Sequence, residues 1–392
     1  MPLKLNINPS SFWALSFLIF FIVLFYPPFV FYQFINESIR IIFFAIILII
    51  LFIYHSLINF QKNNFFKIIF LWLCLFGYFI SSVLTNGWQG AKTSIGYSII
   101  LIFALLLYSI LQSKIKVKFF KYLFNIYVQF FFIVPIFCIC NFLINLITPS
   151  FNFLTPLFSD SVYSYDASFF GLTIPKYIFG INISRNFFFF IEPVYLALFY
   201  LINIFIISKF IPKHSQFFKK LNIIGGILTA SFFFFIGFII IKFLKMSFLY
   251  KCFSILGLIL LSIIFKDSIS IFLSNSSFDD RFLRIDLGVE ILKNYNIEKL
   301  FFGTGYLFDH EIDKGISTGL LTSFIEGGLI GLFIPLILAL LICEGNKVLI
   351  SIVLMSLLLF EPFKLPFFWF VIVLAGNLPK FNNRKIMNNN LN

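Results

Sequence analysis

SFDDRFLRIDLGVEILKNYNIEKLFFGTGY, residues 277–306, and STGLLTSFIEGGLIG, residues 317–331, form a polar island in a chain that is otherwise almost continuously apolar. The composition around the island decides the fold class. Apolar residues make up 60% of the chain and charged ones 11%, with a mean hydropathy of +1.02. A water-soluble globular chain carries roughly 45–50% and about 25%. The apolar runs approach 20 residues without strand-like alternation. Because hydrocarbon cannot hydrogen-bond bare backbone, such runs predict membrane helices rather than a barrel. The expectation is therefore an all-α polytopic membrane protein.

About eleven apolar segments can be traced between residues 12 and 378. Lysines recur at every second connection, at Lys62 and Lys67, at Lys114 to Lys121, and at Lys209 to Lys220. By the positive-inside rule those connections face the cytoplasm. Counting onward places Lys242, Lys245, Lys251 and the tail lysines on the wrong side. Two solutions stay open. Either residues 221–241 are two half-helices breaking near 228–231, or they make one crossing that breaks the charge rule. The first gives about 12 transmembrane segments with both termini inside, and with outer loops at 148–184 and 266–317 and a polar cytoplasmic tail at 379–392. The second outer loop carries nine acids against six bases, net −3, although the chain as a whole is +13.

The same distribution excludes nucleic acid as a partner, since the lysines sit between apolar runs rather than on one basic face. Cys74, Cys138, Cys140, Cys252 and Cys343 lie inside apolar runs without His or acidic neighbours, which reads as buried thiols and predicts no metal site. YPPFVFYQF follows the first apolar run in place of a small-residue cleavage site, so no signal peptide is expected.

Within the island, Phe282, Ile285, Val289 and Leu292 recur at helical spacing, and Arg281, Arg284 and Gly288 share another face. Ser277 stands as a capping residue ahead of Asp280. The result is an amphipathic helix, either a surface element with solvated charges or a phosphate grip. Arg, with its planar fork, suits the second role, and Arg185, Arg281 and Arg284 all fall at outer loops. Glu192, two turns after Arg185, and Glu326, inside a span beside Gly327 and Gly328, are ionisable groups at membrane depth and so functional or paired. An arginine is the expected partner of Glu326, with the glycines allowing close packing. Gly303-Thr304-Gly305 lacks the lysine and strand context of a nucleotide loop and reads as a turn needing positive φ. His310, among Asp309, Glu311 and Asp313, is either a general base or a solvated loop residue.

Residues 281–305, then Glu326-Gly327-Gly328-Leu329-Ile330-Gly331, together with Arg185-Asn186-Phe-Phe-Phe-Phe-Ile-Glu192-Pro193, resemble the bacterial O-antigen polymerase and ligase superfamily. The resemblance covers roughly residues 180–335. Ser317 and Thr318 stand where many members carry His-Asn, and Gly288 where many carry Trp. The resemblance implies a GT-C-like, metal-independent, inverting glycosyltransferase without cofactor, in the bacterial inner membrane as a multi-pass protein with its site on the periplasmic face. It would polymerise undecaprenyl-diphosphate-linked oligosaccharide repeat units into O-antigen. The alternatives are ligation to lipid A core and flipping of the same lipid. Arg185, Arg281 and Arg284 would bind the diphosphate, and His310, Glu192 or Glu326 would take the acceptor proton. Implied partners are that lipid-linked oligosaccharide, membrane lipid and a chain-length regulator protein.

Overall fold

The computed structural model describes residues 9–24, 36–56, 98–111, 116–147, four strands between 154 and 188, 193–210, 215–248, 278–304, 319–360 and 362–382, with isolated positions elsewhere. Helices α1 (Pro9–Leu24), α2 (Glu37–Ser56), α3 (Ser98–Leu111) and α4 (Lys116–Ile147) come first. Strands β1 (Leu154–Ser159), β2 (Ser164–Ser168), β3 (Gly171–Ile178) and β4 (Ile181–Phe188) follow, and then α5 (Pro193–Phe210), α6 (Ser215–Leu228) and α7 (Phe232–Lys245). Next are α8 (Phe278–Lys293), α9 (Ile297–Phe302), α10 (Gly319–Cys343) and α11 (Lys347–Leu359). A 3-10 turn at Pro362–Lys364 leads into the last helix, α12 (Pro366–Asn382).

The core is built around α5 and α12. Residues 196–202 and 367–375 are all at most 1% exposed, so protein wraps both helices on every side. Phe199 is the hub of the aromatic packing, with ring centroids 5.7 Å from Phe130, 5.9 Å from Phe190, 6.0 Å from Tyr127 and 6.1 Å from Phe367. A polar thread runs through this oil. Tyr127 Oη donates to Asn203 Oδ1 at 2.9 Å, Asn203 Nδ2 to Asn222 Oδ1 at 2.9 Å, and Asn222 Nδ2 to the Phe218 carbonyl at 2.8 Å. The thread ties α4, α5 and α6 in one register, since a buried amide left without a partner costs about 1–3 kcal/mol.

Helices α6 and α7 form a hairpin. Asn222 meets Asn203, and the α-carbon of Gly225 is set against the Tyr200 ring, so α6 runs antiparallel to α5. Gly237 then packs on Leu201, and the Phe234 ring lies over Gly226, so the chain has turned back along the same stretch of α5. Ala230 takes φ 46° at the apex, and the buried Thr229 hydroxyl donates to the Gly226 carbonyl at 2.6 Å. Of the two readings of residues 221–241, this is the pair of half-helices, broken between Leu228 and Phe232.

The bundle of about 12 transmembrane segments is corrected by helix length. Among the described residues two helical stretches are long and apolar enough to cross a membrane, Phe119–Ile144 and Gly319–Cys343. The other apolar helices, Ile39–Ile53, Ser98–Leu111, Pro193–Ser208, Lys347–Leu358 and Pro366–Leu378, have 10–17 residues. At 1.5 Å per residue they reach about 15–25 Å, short of a hydrocarbon layer of about 30 Å. The apolar runs misled because a helix hydrophobic all round is what either lipid or a surrounding protein core requires. For α5 and α12 the surroundings are protein. With that count, the GT-C-like architecture and the multi-pass inner-membrane placement with a periplasmic site fall as well.

The chain is also not all-α. The first loop, expected at 148–184 with short helices, holds an antiparallel meander in the order β1-β2-β3-β4. β3 and β4 pair Ile174 with Arg185 and Ile178 with Ile181, and β4 leads toward α5. The runs Leu172-Thr173-Ile174 on β3 and Ile181-Asn182-Ile183 on β4 alternate apolar and polar residues, the period-2 pattern of a strand. Helices α8 and α9 fall in the second loop, and α12 continues to Asn382, into the stretch read as a tail.

Candidate functional site at the break in α10

Helix α10 is interrupted at Gly328, which takes φ 62° and ψ −163°, a conformation essentially reserved for glycine. Gly303, which ends α9, takes φ 74° and ψ −172°. The two glycines interlock. A Cβ on Gly328 would stand 2.4 Å from the Phe301 carbonyl, and one on Gly303 would stand 2.1 Å from the Glu326 carbonyl oxygen. The turn expected at Gly303-Thr304-Gly305 is thus present at Gly303, and its purpose is backbone-to-backbone contact with α10.

The broken helix turn offers its carbonyls to this visitor. The Ile325 carbonyl accepts from the Thr304 amide at 2.9 Å, from Thr304 Oγ1 at 3.1 Å and from Tyr295 Oη at 3.0 Å. The two hydroxyl oxygens are 3.2 Å apart. Burial pushes the Tyr295 phenol upward, the Thr304 hydrogen bond opposes that, and the charge of Glu326 adds to the rise. One residue past Ile325, Glu326 pairs with Lys364 Nζ at 2.5 Å, both groups partly exposed at 16% and 28%. The expected partner was an arginine; the pairing found is to a lysine on the 3-10 turn, whose place beside α10 no spacing in the sequence announces.

Helix α8 packs on α10 through its glycine. Gly288 is buried against Leu321 and Ile325 of α10, while Leu287 and Val289 are each 41% exposed. A glycine lets two helices approach closely where the Val289 face would not. Positions 281 and 284 lie two turns and one turn earlier on the Gly288 face.

The structure brings one of the sequence-read site residues, Glu326, into a defined cluster with Lys364, Tyr295 and Thr304. Arg185 is on β4 and Arg281 and Arg284 are in α8. Glu192 and His310 lie outside the described residues. Missed by sequence reasoning were Lys364, Tyr295 and Thr304. Only Lys364 left a signal, as a charge that shares with Glu361 the short link between the apolar helices α11 and α12.

Three helices start around the link from Phe360 to Leu365. The Phe360 ring touches Tyr195 in the first turn of α5 at 5.1 Å and Phe233 in the first turn of α7 at 5.8 Å, and Lys364 ends the 3-10 turn that leads through Leu365 into α12. Helix N-termini carry partial positive charge, so this end of the molecule favours anionic groups. Among the described residues no group of three or more His, Cys, Asp or Glu is placed to hold a metal ion.

No protein-family model, curated protein or solved structure matches the chain. The assignment to O-antigen polymerisation, with ligation and flipping as its variants, is corrected with the architecture. It required a twelve-span scaffold that fixes two loops on one outer face, and the described helices do not make that scaffold.

Proposed function

We propose that the chain works in contact with membrane lipid and binds an anionic lipid, with no chemical step assigned. The observation that carries this is the outer face of α2. Ile39, Ile41, Ile42, Phe43, Ile46 and Ile49 are 44–60% exposed, on a helix whose opposite side, Phe44, Ile47 and Leu51, is already packed in the core. Contiguous exposed apolar surface of this kind marks a membrane or partner contact. Acyl chains fit it because the surface is apolar, isoleucine with one phenylalanine, and carries no polar rim within those positions. The chain's +13 charge suits anionic headgroups.

The similarity of residues 281–305 and the Glu326-Gly327-Gly328 run to the O-antigen polymerase and ligase superfamily supports a lipid-linked diphosphate as the ligand, with α8 as the helix beside it. Flotation tests the reading. The purified chain, diluted from detergent into neutral phosphatidylcholine vesicles, is expected to rise with them and to resist an alkaline wash. Ile42→Ser with Ile46→Ser and Ile49→Ser should leave the fold intact in detergent and lower the floated fraction. A wild-type chain that stays monodisperse in the aqueous fraction without detergent would end the proposal.

A further inference from the structure

The α6–α7 hairpin has a base as well as an apex, and the base is where exposed aromatic and basic side chains collect. Because the two helices are antiparallel, the start of α6 and the end of α7 emerge at the same end of the molecule. Phe217 is 60% exposed there on α6, with Lys220 exposed beside it. On α7, Lys242 and Lys245 are exposed in the last turn, and the chain breaks at Met246 before continuing through Phe248, which is 82% exposed. The lysine stems lie along apolar surface. Lys242 Nζ sits 5.5 Å from the Phe238 ring centre and Lys251 Nζ 5.8 Å from the Phe243 ring centre.

Each feature has an ordinary explanation singly. Together they put apolar rings outermost with ammonium groups around them, which is the arrangement of a segment that dips rings among acyl chains while its lysines stay with the headgroups. The apex of the same hairpin is buried at the opposite end, so the polarity is built into the fold.

We propose that the base of the α6–α7 hairpin is a docking surface for an anionic bilayer, with Phe217 and Phe248 as the inserted rings and Lys220, Lys242, Lys245 and Lys251 as the headgroup contacts. It rests on the lipid-contact reading above and adds the segment that meets the anionic headgroups. The test compares flotation of the full chain on pure phosphatidylcholine vesicles with vesicles containing phosphatidylglycerol, at low and high salt. Wild type is expected to prefer the anionic vesicles, and high salt to erase the preference. Lys220→Gln, Lys242→Gln and Lys245→Gln together should lower binding to the anionic vesicles about fivefold per lysine and leave binding to neutral ones unchanged. Phe248→Ser should weaken both, with unfolding in detergent unaltered. Failure on neutral vesicles strikes the lipid-contact reading. Binding to both vesicle types without preference, or a preference that survives in the triple variant, overturns the docking surface alone. A detergent-stable dimer abolished by Phe248→Ser would also overturn it, by assigning the face to a second copy.

Discussion

At the scale of single residues, the strongest constraint is the pair Gly303 and Gly328. Each combines a backbone conformation that other residues avoid with a neighbour's backbone where a methyl group would go. Gly303→Ala and Gly328→Ala are each expected to destabilise by about 2–4 kcal/mol, read from unfolding in detergent. Because they make one contact, the double variant should cost clearly less than the sum. Asn203 is the residue on which the buried polar thread depends. Asn203→Leu strands the Tyr127 hydroxyl and the Asn222 amide at once, for about 2–4 kcal/mol, whereas Tyr127→Phe should cost about 1 kcal/mol. Tyr295 gives a pH signature. Its folded pKa is raised, so its stabilising effect is complete below the ordinary tyrosine value near ~10 and is lost as pH climbs through the folded value. Unfolding followed from about pH 9 upward should fall more steeply for wild type than for Tyr295→Phe.

At the scale of elements, legibility followed the kind of signal each element leaves. The α6–α7 break was one of two readings left open by a charge count that presumed a membrane, and the turn falls at the small residues Thr229, Ala230 and Ser231. The turn at Gly303 was readable from glycine chemistry alone. The meander was not, because residues 148–184 were read as an outer loop, and the short alternating runs between 154 and 188 are weak beside the long apolar ones. The packing of α8 on α10 was not legible either. Periodicity rewards Val289 and Leu292, while the packing that occurs exploits the missing side chain of Gly288. The Glu326–Lys364 pair joins α10 to the 3-10 turn, and Glu326→Gln is expected to cost about 1–2 kcal/mol, between the values for exposed and buried pairs. Loss of order at the turn, seen as faster amide exchange around Lys364, would accompany it.

For the whole molecule, hydropathy established how apolar the chain is and left open what each apolar run touches. Residues 193–207 and 366–378 spend their hydrophobicity inside the bundle, α5 chiefly against α6 and α7 and α12 chiefly against α10, while α2 keeps a face outward. Composition cannot separate the two, because both environments ask for the same side chains. Placement separates them. Serine substitutions should divide accordingly: Ile42→Ser on the outward face is expected to leave the melting temperature in detergent within a few degrees, and Ile202→Ser inside α5 to lower it sharply.

The interlock of Gly303 with Gly328 has a consequence for inheritance. Each position loses its packing reason to remain glycine once the other has acquired a side chain, because the close approach that needs both is then gone. Among descendants of a common ancestor the two should be kept together or abandoned together, and a lineage with one but not the other should show α9 displaced from α10.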